Sequence, residues 1–207
     1  MTFDAVRAAY GARAAEYIEA VGQIEHVPDA DREAILRWAT GVRGRVLDVG
    51  SGPGQWTDYL RRHGVAIEGV EPVPEFLSAA RRLYPDSRFH EGRAESLPVA
   101  DGSLGGVLAW YSLIHTDPAS LHSLLDEFAR VIAPGGSLFV GFFTGAALQP
   151  FDHAVTTAYY WPVELLSERI ESAGFTVQEV RARFDPTSAP EPGKRPEAII
   201  VATRDRG

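Results

Sequence analysis

Residues 47–56 read LDVGSGPGQW, and no other stretch restricts the possible fold as much. An apolar run, GRVLDVG at 44–50, leads directly into three glycines at alternate positions, Gly50, Gly52 and Gly54. Glycine reaches positive φ without a Cβ penalty, so this spacing marks a strand whose end turns tightly against a ligand or a helix. The surrounding pattern repeats the theme. Gln55 to His63 is an amphipathic helix closed by Gly64, VAIEGVE (65–71) is a second strand, and Pro74 opens a helix ending near Leu83. SRFHEG (87–92) and GGVLAWY (105–111) are the third and fourth strands, and a helix from about Ala119 to Ile132 follows. Pro134-Gly135-Gly136 turns into a fifth strand, SLFVGFF (137–143). Strands alternating with helices imply parallel pairing with right-handed crossovers.

Both ends depart from that rhythm. Residues 4–21 place Val6, Tyr10, Ala14, Tyr17 and Val21 on one helical face, and a second helix spans 29–39, with Pro28, Asp29 and Asp31 at its first turn. After a helix from about Pro162 to Ala173, FTVQEVRARF (175–184) alternates as a strand. A proline-rich loop, DPTSAPEPGKRP, then leads to EAIIVAT (197–203). Two strands joined without a helix pair antiparallel. The expected fold is therefore α/β: a Rossmann-like, doubly wound, seven-stranded sheet, parallel except for one antiparallel C-terminal edge pair and flanked by helices. At 207 residues it reads as one domain, 1–207, with residues 1–40 as helices covering it and 144–161 as an irregular insertion.

Composition narrows the function. A formal net charge of −8 argues against a large nucleic-acid footprint, which needs a basic face. The absence of cysteine excludes disulfides, Cys₄-type zinc sites, cysteine-bound iron–sulfur clusters and cysteine nucleophiles. The first twenty residues mix acids and bases without a continuous apolar core, and no stretch approaches the roughly 18 apolar residues of a membrane span. The expectation is a cytoplasmic protein, monomer or homodimer, with no membrane and no nucleic-acid partner.

Two ligands compete for the glycine loop. A dinucleotide sets its pyrophosphate on a helix N-terminus and uses GxGxxG, whose third glycine lets the helix pack close to the strand. Counted from Gly50, that position is Gln55; the third glycine is Gly54 instead. Asp48 stands two residues before Gly50. A carboxylate there repels a pyrophosphate but suits the sulfonium and ammonium of S-adenosylmethionine. Glu71, at the end of the second strand and 21 residues after Gly50, is placed to accept hydrogen bonds from ribose hydroxyls, which both cofactors possess.

Four blocks in order, VLDVGSGPGQW, EGVEPVPEFLSAAR, EGRAESLPVADGSLGGVLAWYSLIH and ARVIAPGGSLFV, resemble the class I S-adenosylmethionine-dependent methyltransferases, specifically the small single-domain kind acting on small molecules. The resemblance covers roughly residues 10–203. It implies S-adenosyl-L-methionine as cofactor, with S-adenosyl-L-homocysteine as product. It places Asp48, Gly50, Ser51, Gly52, Gly54, Gln55 and Trp56 around the methionyl end, Glu71 on the ribose, and Pro72 and Val73 against the adenine. Arg93, Ala94 and Glu95 fall where the adenine edge is read, although relatives often carry Asp where this chain has Arg93. Trp110 and Tyr111 would border the reactive methyl, and Tyr10 and Tyr17 would reach the ligand carboxylate. A Leu104-Gly105 pair replaces the common Phe-Asp before the fourth strand.

Methyl transfer from a sulfonium is an in-line displacement with a neutral leaving group, so positioning dominates and contributes roughly 7–11 kcal/mol. A general base matters only for an acceptor that arrives protonated. Two histidines qualify as catalytic candidates: His115, after the fourth strand, and His153, within residues 144–161. Phe151, His153, Tyr159, Tyr160 and Trp161 are expected to line the acceptor side, and no metal site is expected. The fourth strand ends in WYSL, without the Asn/Asp-Pro-Pro-aromatic cluster of many nucleic-acid and protein amide N-methyltransferases, and the lack of cysteine removes the cysteine-adduct route to pyrimidine C5. The expected function is methyl transfer to an O or N atom of a small molecule. The alternatives are a cofactor-binding pseudoenzyme or regulator and, behind it, an NAD-dependent oxidoreductase.

Overall fold

The computed structural model describes residues 3–182 and 195–206. Its central feature is a seven-stranded sheet in the order β3-β2-β1-β4-β5-β9-β8. The strands are β1 (Val46–Val49), β2 (Ile67–Glu71), β3 (Phe89–Glu91), β4 (Leu104–Trp110), β5 (Ile132–Phe143), β8 (Phe175–Ala182) and β9 (Glu197–Arg204). Strands β1 to β5 pair parallel, whereas β9 runs antiparallel to both β5 and β8. The antiparallel C-terminal pair is thus present. The reversed strand is β9, inserted between β5 and β8 rather than placed at the rim. Residues 183 and 184, expected to extend the strand at 175–184, and most of the proline-rich loop lie outside the described residues.

Helices α4 (Gln55–Arg62), α5 (Pro74–Leu83), α6 (Leu121–Val131) and α7 (Val163–Ser172) cover the sheet with the N-terminal helices α1 (Phe3–Ala12), α2 (Ala14–Val21) and α3 (Asp29–Gly41). Strand β1 reads VLDV and every residue in it is buried, as expected of a parallel strand covered on both faces. One core cluster joins β4 and β5 to α6 and α7 through Leu125, Phe128, Leu138, Ile170 and Phe175, and a second packs Ile35, Trp56, Leu60 and Phe139 on the opposite face.

Three expectations are corrected. The helix read as 4–21 is two helices broken at Arg13, whose φ of −117° and ψ of 17° leave the helical region and let the chain bend over α5. There Tyr10, Tyr17 and Ile18 pack on Val73 and Phe76. The stretch read as irregular, 144–161, holds a hairpin of β6 (Gln149–Asp152) and β7 (Thr157–Tyr160). Pro134-Gly135-Gly136 is not a loop preceding β5 but an irregularity within it, because Ile132 already pairs with Leu104 before the register shifts. No helix among the described residues is long and apolar enough to cross a membrane.

Candidate active site

The glycine loop is fixed before any ligand is considered. The amides of Gly50 and Ser51 both donate to the Val70 carbonyl, at 2.8 and 3.1 Å, stitching the loop to the end of β2. All three glycines have positive φ, and each has a different task. A Cβ on Gly50 would lie 2.6 Å from the Ser112 Cβ, so the loop presses on the chain leaving β4. A Cβ on Gly54 would lie 2.6 Å from the Phe89 ring, and Gly54 is also the N-cap of α4. Gly54 therefore does the close helix–sheet packing that the dinucleotide fingerprint assigns to a residue one place later. Around Gly52 nothing lies within 4 Å of the Cβ position, leaving that side of the loop open.

Two buried carboxyl groups face this loop. Glu71, the last residue of β2, accepts from the Gly52 amide through Oε2 (2.7 Å) and from the Val73 amide through Oε1 (2.8 Å). Each oxygen keeps acceptor capacity for a further donor. Asp48 Oδ2 accepts from the Thr57 hydroxyl at 2.7 Å. Burial raises the pKa of both acids to about 7, working against those hydrogen bonds; for Glu71 the charge on Asp48 adds to the rise. A cation brought to this place would be favoured by both groups in their ionised forms.

Two cavities meet here. The first, about 320 Å³, runs along Glu71, Pro72 and Val73, past Arg93, Ala94 and Glu95, to His115. Arg93 forms an ion pair with Glu95 at 3.5 Å. The second, about 610 Å³, is bounded by Asp48, Ser51, Gln55 and Trp56 on the sheet side and by His153 on the hairpin side. Tyr10, Tyr17, Gly50, Gly52, Trp110 and Tyr111 line both. All the expected methionyl, ribose and adenine residues except Gly54, which sits behind the loop, line one or both chambers.

Acceptor-side expectations separate. His153 lines the second cavity. Phe151 and Tyr160 stack on each other with ring centroids 4.1 Å apart and line neither cavity; they pack against Phe143, which does line the second. Trp161 is 3 % exposed and belongs to the main core, and Tyr159 packs against that same core. The hairpin alternates sides: Phe151 and Tyr160 share a face with Ala158 and pack on Phe143, whereas Tyr159 and Trp161 face the main core, and the Trp161 N–H ties the hairpin to the Phe143 carbonyl at 2.9 Å.

The histidines differ in character. His115 Nδ1 lies 2.7 Å from the Thr157 carbonyl, which can only accept, so that nitrogen carries the proton. Nε2 is then the acceptor for the Tyr10 hydroxyl, also at 2.7 Å. Burial lowers the His115 pKa against the influence of the Thr157 carbonyl. The His153 ring lies 5.3 Å from that of His115, and burial, His115 and Arg195 together push its pKa down to about 4. Both rings are neutral at pH 7. Tyr10, expected to meet a ligand carboxylate, spends its hydroxyl on His115. Burial and the nearby Glu71 charge raise Tyr17 to about 12.

Two features escaped the sequence reading. Tyr111 has φ of 54°, the one positive value outside glycine among the described residues, and it sits where the cavities join. Its hydroxyl hydrogen-bonds to the Glu197 carboxylate, which lines the second cavity. Left-handed backbone at a bulky residue persists only where its surroundings enforce it, and such positions gather at functional sites. Nothing local announces it: Tyr111 and Glu197 meet only because β9 inserts beside β5.

The sheet order, the glycine loop and the carboxylate ending β2 together define the fold of the class I S-adenosylmethionine-dependent methyltransferases. Residues 46–136 match the model of the family described as methyltransferase domain, spanning β1 to the early part of β5. An uncharacterized methyltransferase of Mycobacterium tuberculosis is 37% identical over 120 residues, covering 58% of this chain and 48% of that protein. The chain thus spans about half the length of the curated relative it matches. Among solved structures, the 1,6-didemethyltoxoflavin-N1-methyltransferase of Burkholderia thailandensis, with its substrate and S-adenosylhomocysteine bound, superposes with a TM-score of 0.75 at 20% identity, covering all of this chain and 92% of that one. A [4+2]-cyclase, SpnF, superposes at 0.69 and 20% identity, covering 86% of this chain and 82% of that one.

Proposed function

We propose that the protein is an S-adenosylmethionine-dependent methyltransferase that methylates an oxygen or nitrogen atom of a small molecule. The observation that carries this reading is Glu71: a buried carboxylate held by two backbone amides, with acceptor capacity left on both oxygens, beside a loop whose open face is Gly52. The residues present fit the cofactor. Glu71 would take its ribose hydroxyls, Asp48 and Glu71 would balance its positive charge, and Ser51 Oγ and Ser112 Oγ are buried without a hydrogen-bond partner beside the loop. A pyrophosphate in the same place would meet two carboxylates.

S-adenosylmethionine supplies an electrophilic methyl group; the chain supplies alignment and a dry enclosure. Tyr10 and Tyr17 close the cleft from the N-terminal side, and Arg13 on that side reaches the Ala154 carbonyl of the hairpin turn. In this reading residues 1–40 cover the cleft and 144–161 wall the acceptor side of a single domain. His115 presents its Nε2 lone pair where a proton could be received once the Tyr10 hydroxyl rotates away. The test is turnover of methyl-labelled S-adenosylmethionine across phenols, amines and carboxylic acids, with label recovered in one class. Binding without label transfer to any of them would favour a cofactor-binding protein that performs no methylation, a reading supported by the cyclase built on the same fold.

A further inference from the structure

The larger chamber shows what kind of acceptor it would hold. Its charged side chains are mostly acids: Glu16, Asp31, Asp48 and Glu197 line it, against Arg13. Arg13 is engaged by Glu16 at 2.8 Å and by the Ala154 carbonyl, so its charge is balanced within the protein. His26 Nδ1 donates to the Ala20 carbonyl at 3.0 Å, and His153 is neutral at pH 7. Arg195 lies over the Phe143 and Phe151 rings, outside the lining, although its charge reaches His153. The apolar part of the wall is aromatic, with Trp56, Trp110, Tyr111 and Phe143 contributing ring surface. Two independent signs mark the chamber as a ligand site. Trp56 is 3 % exposed and its indole N–H has no hydrogen-bond partner, and the His153 Nδ1 is likewise buried and unpartnered. Tyr111 is held in left-handed backbone at the junction with the cofactor cleft.

From this lining we infer that, given the methyltransferase reading above, the acceptor is an amine carried on a compact apolar or aromatic body, with Glu197 as the carboxylate that receives its nitrogen. A phenol must become phenolate before it attacks, and a carboxylate already carries a negative charge; both meet a chamber of excess acid with a neutral imidazole. An ammonium enters favourably, is attracted by Glu197 and by the ring faces, and sheds one proton to become nucleophilic. His153, neutral and unpartnered at Nδ1, stands on the wall to accept a hydrogen bond from the nitrogen. The step balances: the ammonium passes one proton to the Glu197 carboxylate, the freed lone pair on nitrogen forms the N–C bond to the methyl carbon, and the pair of the breaking C–S bond stays on sulfur. Tyr111, donating to Glu197, fixes the carboxylate's direction and acts as a positioning residue.

The test compares three probes with one body: phenethylamine, 4-ethylphenol and phenylacetate, each titrated into protein saturated with S-adenosylhomocysteine, with methyl transfer from S-adenosylmethionine followed by mass spectrometry. Phenethylamine should bind about tenfold or more tightly than phenylacetate, the scale of a hydrogen bond to a charged group, and should alone acquire a methyl group. Glu197→Gln, which keeps an acceptor for Tyr111, should erase that preference while S-adenosylhomocysteine binds as before. Equal or tighter binding of phenylacetate or 4-ethylphenol, or no binding of any probe, would overturn the amine assignment. Wild-type protein that fails to bind S-adenosylhomocysteine would instead overturn the methyltransferase reading, so the two failures are distinct.

Discussion

Replacing Glu71 by alanine removes a carboxylate that serves the fold and the proposed ligand at once, and the two losses can be measured apart. In the fold, the amides of Gly52 and Val73 lose partners at 2.7 and 2.8 Å. An unsatisfied buried amide costs about 1–3 kcal/mol. Part of that is returned, because Glu71 is itself costly to ionise where it is buried, as its pKa of about 7 shows. A net destabilisation of about 1–2 kcal/mol follows, lowering the melting temperature of a chain this size by roughly 2–8 °C. For the ligand, hydrogen bonds from ribose hydroxyls to a charged group contribute about 1.5–3 kcal/mol, so the Kd for S-adenosylhomocysteine should rise about 10- to 150-fold. Calorimetry well below the melting transition gives the second quantity and a thermal melt the first. Glu71→Gln is the sharper variant: its amide nitrogen must face one of two N–H donors, so it should lose as much affinity as alanine despite its size. Unchanged affinity in a folded Glu71→Ala protein would refute the reasoning and remove Glu71 from the site.

Asp48 and Glu71 set a pH dependence, since their pKa values rise from ordinary carboxylate values of 3.8 and 4.5 to about 7 in the folded protein. Raised acids stabilise the fold at low pH and that contribution is lost as pH rises through about 7, so the ligand-free protein should lose their share of stability between about pH 4 and 7 in denaturant titrations. Binding a cation favours the ionised forms, so the affinity for S-adenosylmethionine should increase from pH 6 to 8, with proton release detectable by calorimetry in buffers of different ionisation enthalpy. Gly54→Ala should destabilise by roughly 2–4 kcal/mol, combining left-handed strain with overpacking on Phe89. Gly52→Ala, with open space around its Cβ, should cost the fold only about 1–2 kcal/mol of backbone strain yet narrow the cleft and weaken cofactor binding. His153→Ala should lower turnover while sparing cofactor affinity; parallel losses of melting temperature and activity would show a structural role instead.

What the sequence disclosed follows the range of the interactions involved. The glycine loop, Glu71 and the strand–helix alternation are written locally, in residues that must be glycine, acidic or apolar whatever else surrounds them. The hairpin of β6 and β7 was hidden because each strand has four residues, Pro150 interrupts the first, and no glycine marks the turn. It is held by distant partners, the Tyr159 amide on the Ile114 carbonyl and His115 on the Thr157 carbonyl. The break at Arg13 was invisible for a related reason. Tyr10, Ala14 and Tyr17 keep helical spacing across it, and only packing against α5 reveals the bend. The Tyr111–Glu197 pair depends on strand order and could not be read from spacing at all.

On the proposed function, the cleft beside Glu71 is built for a sulfonium amino acid and not for a dinucleotide. Calorimetric titration of the protein with S-adenosylhomocysteine and, separately, with NADH tests it most directly. One-to-one saturable binding of S-adenosylhomocysteine, weakened by Glu71→Ala, and no binding of NADH are the expected results. Saturable binding of NADH with none of S-adenosylhomocysteine would contradict it.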